Sequence, residues 1–312
     1  MKKIITNIFY IPTMQSSNKT SLGVTLSIIS SALFALMFAY TSLLNELQGH
    51  ETYGWRVLFT VPFLTVFILL KGYWPQVISI CTRMRYEKYF WLTRLLSSFL
   101  VGVQLWLFMW ATVNGYGLAV SLGYFIMPIT MVIIGRLAFQ ERLTPHQKVA
   151  CLFALIAIIN LLIVSQSVLW PVWVVCIGYP IYFWLHKKTN TNNISCTWVD
   201  MLLSLPIACY FIFANGQVVT ELTVNLTLLY LVVGLGGISA LALSFQSLSA
   251  PYLNLSLFGL LVYVEPVLLL IVAILLGETI NQKDWLTYIA ILLAVVTLII
   301  EGIRKLHLTH YR

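Results

Sequence analysis

Long apolar runs separated by short polar breaks dominate this chain. An α-helix needs about 20 apolar residues to cross roughly 30 Å of hydrocarbon, and most of the runs reach that length. Charged residues, glycine, proline and asparagine mark the breaks between them. The pattern predicts about ten transmembrane helices, over residues 21–45, 53–71, 92–113, 117–139, 146–166, 168–186, 197–215, 225–247, 254–277 and 283–303.

Composition supports the same class of protein. Of the 312 residues, 60% are hydrophobic and only 9% are charged, and the mean hydropathy is +0.91. These values exclude an ordinary water-soluble domain and indicate the lipid bilayer as the surrounding solvent. The net charge of +8 does not indicate a nucleic-acid partner, because the basic residues lie between apolar runs rather than in a patch interleaved with aromatic residues.

The positions of lysine and arginine predict the orientation. With the N-terminus inside, sixteen of them fall on the inner side and two, Arg56 and Lys283, on the outer side. Basic residues are retained in the cytoplasm during insertion, so we expect both termini to be cytoplasmic, in a bacterial inner membrane. The inner residues are Lys2, Lys3, Lys19, Lys71, Arg83, Arg85, Lys88, Arg94, Arg136, Arg142, Lys148, Lys187, Lys188, Arg304, Lys305 and Arg312.

A similar pattern occurs twice. Pro128 precedes Glu141 by thirteen residues, and Pro266 precedes Glu278 by twelve. We therefore expect two five-helix repeats, which an odd number of helices places in opposite orientations; chance similarity of two proline-containing helices is the alternative. The predicted organisation is an N-terminal tail over 1–20, repeats over 21–166 and 168–303, and a C-terminal tail over 304–312.

Both prolines lie near the middle of predicted helices. Proline removes one backbone hydrogen bond and kinks a helix, which membrane proteins tolerate beside a cavity or a neighbouring polar group. We therefore expect Pro128 and Pro266 to kink their helices next to a central cavity. Small residues four apart, Ser27, Ser31, Ala35 and Ala39, predict a close contact of the first helix.

Two charged residues are the strongest candidates for function. Glu265 lies within the predicted ninth helix, where a carboxylate costs about 2.5–3.5 kcal/mol to insert. It can bind a cationic substrate or exchange a coupling proton; the alternative is a neutral glutamic acid hydrogen-bonded to a neighbouring helix. Arg56 can attract an anionic substrate or pair with Glu265 or Glu51, and the alternative is a side chain that reaches the outer headgroups.

Further polar and aromatic residues are candidates for lining a substrate path. They are Gln104, Trp110, Asn114, Tyr124, Gln246, Asn254 and Tyr263. Trp110 shares a helix face with Trp106 and can stack on a substrate. For each of them, a contact between helices or an anchor at the membrane interface is the alternative role.

No pattern indicates catalysis, a cofactor or a metal site. The five cysteines are scattered without CxxC spacing. DDxxD, HExxH, GxSxG and Walker patterns are absent from the sequence. We expect the histidines to fall in loops or tails, and Glu141 and Glu278 to mark turns at helix ends. The sequence therefore predicts a protein that is not an enzyme.

The run WATVNGYGLAVSLGYFIMPITMVIIGRLAFQERLTPHQ, residues 110–147, resembles RarD-type members of the EamA branch of the drug/metabolite transporter superfamily. The matching residues are Trp110, Ala111, Asn114, Gly115, Ser121 to Ile126, Pro128 and Glu141 to Leu143. The resemblance implies ten helices in two inverted repeats, both termini inside, and movement of small metabolites or drugs. The chain departs from the family pattern at Met127 and Ala119, where polar residues are usual, and at Glu265, where a neutral residue is usual.

We therefore expect a secondary transporter, in the exporting direction, that works by alternating access. Its partners would be a small-molecule substrate, the bilayer and a proton as candidate coupling ion. Two alternatives stay open: an intramembrane enzyme that acts on a lipid-linked substrate, and a channel.

Overall fold

The computed structural model describes residues 16–41, 43–44, 47–114, 116–165, 170–214, 225–265, 267–268, 283 and 285–310. The described residues form helices joined by short turns, and none of them is in a β-strand. This confirms the predicted all-helical class. Pro266 and Glu278, together with the predicted connection 216–224, lie outside the described residues.

Eleven α-helices are described, and most of them follow the apolar runs. In chain order they are α1 (Ser16–Thr41), α2 (Gly49–Leu70), α3 (Trp74–Tyr86), α4 (Phe90–Val113), α5 (Gly117–Phe139), α6 (Pro145–Ser165), α7 (Trp170–Lys188), α8 (Ile194–Phe213), α9 (Leu226–Ser249), α10 (Leu255–Leu261) and α11 (Trp285–His310). A short 3-10 turn, Ala250–Tyr252, follows α9.

Among the described residues, six helical segments are long and apolar enough to cross a bilayer. They are Thr20–Thr41, Gly49–Leu70, Phe90–Ala111, Pro145–Val164, Ile194–Phe213 and Leu226–Tyr252, with Gly123–Phe139 and Trp285–Glu301 as shorter apolar segments. Large apolar side chains cover their outer faces: on α6, Leu152 and Ile163 are exposed while Ala150 and Ala154 are buried. An apolar exterior suits lipid, so this is a multi-pass membrane protein.

Two predicted segments differ from the structure. The region expected as a loop, 72–91, contains the helix α3, which begins at Trp74 with Pro75 in its first turn, a position that tolerates proline. The predicted helix 254–277 is interrupted by a turn at Val262 and Tyr263. Pro266 has no N–H to donate to the carbonyl of Val262, and the N–H of Glu265 donates to that carbonyl instead, at 3.1 Å.

Contacts between the first half of the chain, helices α1–α6, and the second half, helices α7–α11, hold the molecule together. Helix α1 packs on α9, α2 on α8 and α9, α4 on α7 and α8, α5 on α7 and α10, and α6 on α11. The predicted close contact of α1 is confirmed: Ser27, Ser31 and Ala35 are buried, and the Ser30 hydroxyl donates to the Ala242 carbonyl at 2.9 Å. Helices of both halves therefore surround the interior between them.

Candidate functional site

A narrow cavity lies between the two halves, and the empty space in it and at its opening amounts to about 440 Å³. Helices α1, α2, α4, α5, α7 and α9 surround it, together with the interrupted segment after α10. Its wall is mainly aromatic and aliphatic, with a few polar groups, as is usual for sites that bind small molecules. The lining residues are Phe34, Met37, Arg56, Leu105, Phe108, Tyr124, Met127, Tyr179, Phe183, Gln246, Val262 and Glu265.

Arg56 is buried in the wall of this cavity. Its side chain is 1% exposed, so the alternative in which it reaches the headgroups is wrong. Its Nε donates to the hydroxyl of Ser239 on α9, at 3.0 Å. Its Nη2 has no hydrogen-bond partner among the described residues. A buried guanidinium with an unused donor is suited to bind an acceptor on a ligand.

Glu265 lines the same cavity from the other half of the chain. The turn at Val262 and Tyr263 lies immediately before it. Its carboxyl group is close enough to Arg56 for an electrostatic interaction. Pairing of Arg56 with Glu265, which the sequence left open, stays a prediction. Opposite charges at one cavity can hold a ligand that carries complementary groups.

Aromatic side chains complete the wall. The hydroxyl groups of Tyr124 on α5 and Tyr179 on α7 lie 3.4 Å apart. The ring of Tyr179 stacks on Phe183 with 6.2 Å between centroids, and Phe108 meets Tyr124 edge to face at 6.0 Å. Such rings can hold the apolar part of a ligand or lie over a cationic group.

A second cavity continues from the first towards the turn between α7 and α8. Its unfilled space measures about 500 Å³. Both cavities share Phe34, Leu105, Tyr179, Phe183 and Gln246. Beyond them the second cavity is lined by polar residues, including Asn192, Asn193, Thr197 and Ser247. Gln246 thus lies at the junction of a path that runs from Arg56 to the α7–α8 turn.

Two predicted residues instead join helices next to the cavity. The Gln104 amide on α4 donates to the Val174 carbonyl of α7, at 2.7 Å. The hydroxyl of Tyr263 donates to the carbonyl of Phe125, at 2.8 Å, three residues before Pro128. Neither Gln104 nor Tyr263 lines the cavity, and each instead stabilises the packing of the helices that form its wall.

The remaining predicted residues lie away from the cavity. Trp110 stacks on Trp106 and on Tyr116, each with 5.3 Å between ring centroids, so its contacts are with other side chains. The exposed Asn114 side chain donates to the carbonyl of Trp110, at 2.8 Å, at the end of α4. Asn254 caps α10 by accepting the N–H of Leu257, at 2.7 Å.

Glu141 does more than mark a turn. Its carboxylate accepts the N–H groups of Leu255 and Ser256, each at 2.8 Å, at the start of α10. Lys187 of α7 also donates to it. Burial by itself raises the pKa of Glu141, but the hydrogen bonds from Lys187, Ser256 and Leu255 outweigh burial and lower the pKa below its ordinary value.

A second buried polar cluster was missed by the sequence analysis. The side chains of Arg94 on α4, His186 on α7 and Asp200 on α8 meet where these helices pack. The expectation that every histidine lies in a loop or tail is wrong, because His186 is in the last turn of α7 and is 3% exposed. Arg94 is fully buried, so it is not a free marker of topology. An aspartate within a predicted span was the signal that could have found the cluster.

Comparisons with known proteins extend this description. The chain is 34% identical over 275 residues to the chloramphenicol-sensitive protein RarD of Pseudomonas aeruginosa, covering 88% of this chain and 92% of that protein. It is 31% identical over 283 residues to an uncharacterized transporter of Haemophilus influenzae, covering 91% of this chain and 95% of that protein. No protein-family model matches. A solved crystal structure shares the fold, with a TM-score of 0.64, 14% identity and coverage of 92% and 97%.

Proposed function

This chain belongs to the family of RarD-type transporters, and we propose that it exports small metabolites or drugs across a bacterial inner membrane as a secondary transporter. The observation that carries the proposal is the cavity between the halves, which Arg56 and Glu265 both line. Charged residues inside a membrane protein are costly and usually serve the transported solute or ion. The EamA branch of the drug/metabolite transporters, which the sequence resembles, fits this family.

The architecture in this proposal is ten helices in two inverted repeats, over 21–166 and 168–303. The helix contacts support it, because several have a counterpart when the five helices α1, α2, α4, α5 and α6 are exchanged, in that order, for α7, α8, α9, α10 and α11. The contact of α1 with α9 becomes that of α7 with α4, and the contact of α2 with α9 becomes that of α8 with α4. The pairs α2–α8, α5–α10 and α6–α11 map onto themselves.

Alternating access requires a path that opens to one side at a time. The second cavity leads from Arg56 towards the α7–α8 turn, next to Lys187 and Lys188. Lysine residues at the end of a span favour the cytoplasmic side, so in this arrangement the path leads inward and both termini are cytoplasmic. The interruption before Glu265 and the proline in α5 make the α5–α10 pair the natural place for movement.

The proposed roles of the charged groups follow from what each can offer. Arg56 has an unused donor and would bind an anionic or strongly polar group of the substrate. Glu265 would bind a cationic group or carry a coupling proton. Tyr124, Tyr179 and Gln246 would contact the rest of the substrate, because their side chains line the cavity around the two charges.

Profiling of metabolites and drug sensitivity in cells that lack or overproduce the protein tests the proposal. Chloramphenicol belongs among the drugs, because one relative is named for sensitivity to it. We expect at least one small compound to accumulate outside overproducing cells, and the difference to disappear in the Glu265→Gln and Arg56→Gln variants. Glu87→Gln is the control, since Glu87 is a surface residue paired with Arg83. Identical profiles in all strains would contradict export.

Purified protein in proteoliposomes then separates a carrier from a channel. A labelled compound identified by the profiling is loaded inside the vesicles, and its efflux is followed with and without a pH gradient. A carrier gives flux that saturates with concentration and responds to the gradient. Flux that rises without limit would favour a channel.

A further inference from the structure

The buried cluster on α4, α7 and α8 lies outside the central cavity. Asp200 and Arg94 are fully buried, and the Nη1 of Arg94 is 3.5 Å from the Oδ1 of Asp200. The other carboxylate oxygen, Oδ2, lies 2.8 Å from the Nε2 of His186 and 2.6 Å from the Oγ of Ser97. Isolated charges at this depth are costly, so the state of each proton matters.

The contacts of His186 fix where its protons must be. Its Nδ1 lies 3.1 Å from the carbonyl oxygen of Thr191, and a carbonyl can only accept, so Nδ1 carries a proton. In neutral histidine, Nε2 would then be an acceptor facing the Asp200 carboxylate, also an acceptor, at 2.8 Å. A contact this short requires a proton between the two atoms.

The hydroxyl of Ser97 cannot supply this proton to both partners. Its Oγ is 2.7 Å from Nε2 of His186 and 2.6 Å from Oδ2 of Asp200. A serine hydroxyl has one hydrogen and can donate it to only one of the two acceptors. The geometry therefore needs one additional proton, which is shared by His186 and Asp200.

A metal ion is the competing explanation, and Arg94 argues against it. Donor atoms of His186, Cys196 and Asp200 all lie within 4.8 Å of one another, close enough to bind an ion. The guanidinium of Arg94 lies among them: its Nη1 is 3.5 Å from His186 Nε2 and donates to the sulfur of Cys196. A fixed positive charge already stands where a metal ion would have to bind.

Other charged and titratable groups lie around the cluster on the neighbouring helices α3 and α7. The Tyr182 ring of α7 packs on that of His186, with 4.3 Å between centroids. Arg83 of α3 donates to the Thr189 carbonyl, at 3.3 Å, and is itself paired with Glu87. Among the described residues, His186 and Asp200 are thus the pair in this cluster whose contact, at 2.8 Å, requires a shared proton.

The cluster is connected to the path described above. His186 lines the second cavity together with Asn192 and Asn193. A proton can therefore reach it from the side of the α7–α8 turn without entering the central cavity.

We propose that His186 and Asp200 form a proton-binding site, separate from Glu265, that holds the end of α7 against α8 and α4 and thereby controls access to the central cavity. The inference rests on the proposed transport function. With the proton bound, His186 Nε2–H donates to Asp200, and Arg94 balances the carboxylate from its other side. When the proton leaves to solvent, the Nε2 lone pair faces the carboxylate and the contact between α7 and α8 weakens.

The first test measures thermal unfolding of the purified protein in detergent from about pH 5 to about pH 8, the range in which histidine changes charge. With the proton bound, the contact between His186 and Asp200 is intact, so the stabilisation that it gives is present at low pH and is lost when the proton leaves as pH rises. His186→Gln keeps an N–H donor towards Asp200 but cannot titrate. We expect its Tm to depend less on pH than that of the unmodified protein, by roughly 2–4 °C.

His146→Gln is the matched control, because His146 lies in the first turn of α6, away from the cluster. It should keep the pH dependence of the unmodified protein. Asp200→Asn is a second variant in case His186→Gln does not fold, since its amide can donate to a neutral His186. Equal pH dependence in the unmodified protein and in whichever of these two variants folds would overturn the proposal, and so would a rise in Tm of the unmodified protein on adding Zn²⁺.

Flux measurements separate this inference from the proposed function. In proteoliposomes, His186→Gln should still move the compound that the profiling identifies, but its rate should no longer follow pH on the side of the α7–α8 turn. Absence of flux in every protein, the control included, would contradict the transport function and leave the unfolding result standing. Flux of His186→Gln that follows pH as the control does would overturn the role of the cluster in access.

Discussion

Glu141 and Ser256 are joined by two hydrogen bonds across 115 residues of sequence. The Oε2 of Glu141 accepts the backbone N–H of Ser256 at 2.8 Å and its hydroxyl at 2.6 Å. The carboxylate lies at the N-terminus of α10, where free N–H groups and the helix dipole favour a negative charge. It therefore anchors the α5–α6 turn of the first half to the helix of the second half that leads to Glu265.

Replacing Glu141 with glutamine should destabilise the protein. The variant keeps one acceptor but loses the charge that the hydrogen bonds from Leu255, Ser256 and Lys187 satisfy. Hydrogen bonds to charged groups contribute about 1.5–3 kcal/mol each, and the retained acceptor limits the loss to about 1–3 kcal/mol. Thermal unfolding in detergent measures it. Glu87→Gln should change the Tm little, because an exposed ion pair contributes little to stability. Equal losses in the two variants would refute the anchor.

The same residue predicts a dependence of stability on acid. The hydrogen bonds lower the pKa of Glu141 in the folded protein, whereas in the unfolded chain a glutamate titrates near pH ~4.3. The stabilisation is therefore present above that value and is lost as pH falls through the lower folded pKa. Between about pH 6 and about pH 3 the unmodified protein should lose more stability than Glu141→Gln. Parallel Tm curves would show that the carboxylate titrates as in the unfolded chain.

Hydropathy over about 20 residues predicts most of the helices, because averaging over that length removes the effect of single polar side chains. The same averaging concealed the cluster of Arg94, His186 and Asp200, in which each residue comes from a different helix. The sequence pattern assigns Arg94 to the inner charges and His186 to a loop. The pairing of α4 with α7 and α8 that brings them together is tertiary structure, which a hydropathy pattern does not contain.

Single charges within apolar runs were more informative than neutral polar groups. Glu265 and Arg56 line the cavity because the cost of burying a charge leaves few other places for it. A neutral polar side chain can donate a hydrogen bond to a backbone carbonyl instead, and Gln104 and Tyr263 both do so. A glutamine or a tyrosine suits a cavity wall and a contact between helices equally well, so only the structure shows where each side chain points.

Tyr263→Phe should affect stability and leave substrate preference unchanged. The hydroxyl donates to the carbonyl of Phe125 in helix α5, which contains Pro128. Its loss leaves that carbonyl without this donor and should cost about 1–3 kcal/mol. Tyr124→Phe is the comparison, because the Tyr124 hydroxyl faces the cavity and the Tyr179 hydroxyl. Tm and the ranking of exported compounds are measured for both variants; a changed ranking for Tyr263→Phe alone would contradict the assignment.

Arg56→Lys should impair transport even though it preserves the charge. The Nε of Arg56 donates to the hydroxyl of Ser239, and this hydrogen bond orients the planar guanidinium. A lysine ammonium is a point charge and does not have the same fork of donors. Loss of one directed hydrogen bond to a charged group is worth about 1.5–3 kcal/mol, so the half-saturating concentration of the exported compound should rise roughly tenfold or more.

Ser239→Ala separates position from charge: it keeps Arg56 but removes the group that orients it. If proteoliposome flux shows both variants with the affinity of the unmodified protein, Arg56 does not bind the substrate through an oriented guanidinium, and its role reduces to balancing the charge of Glu265.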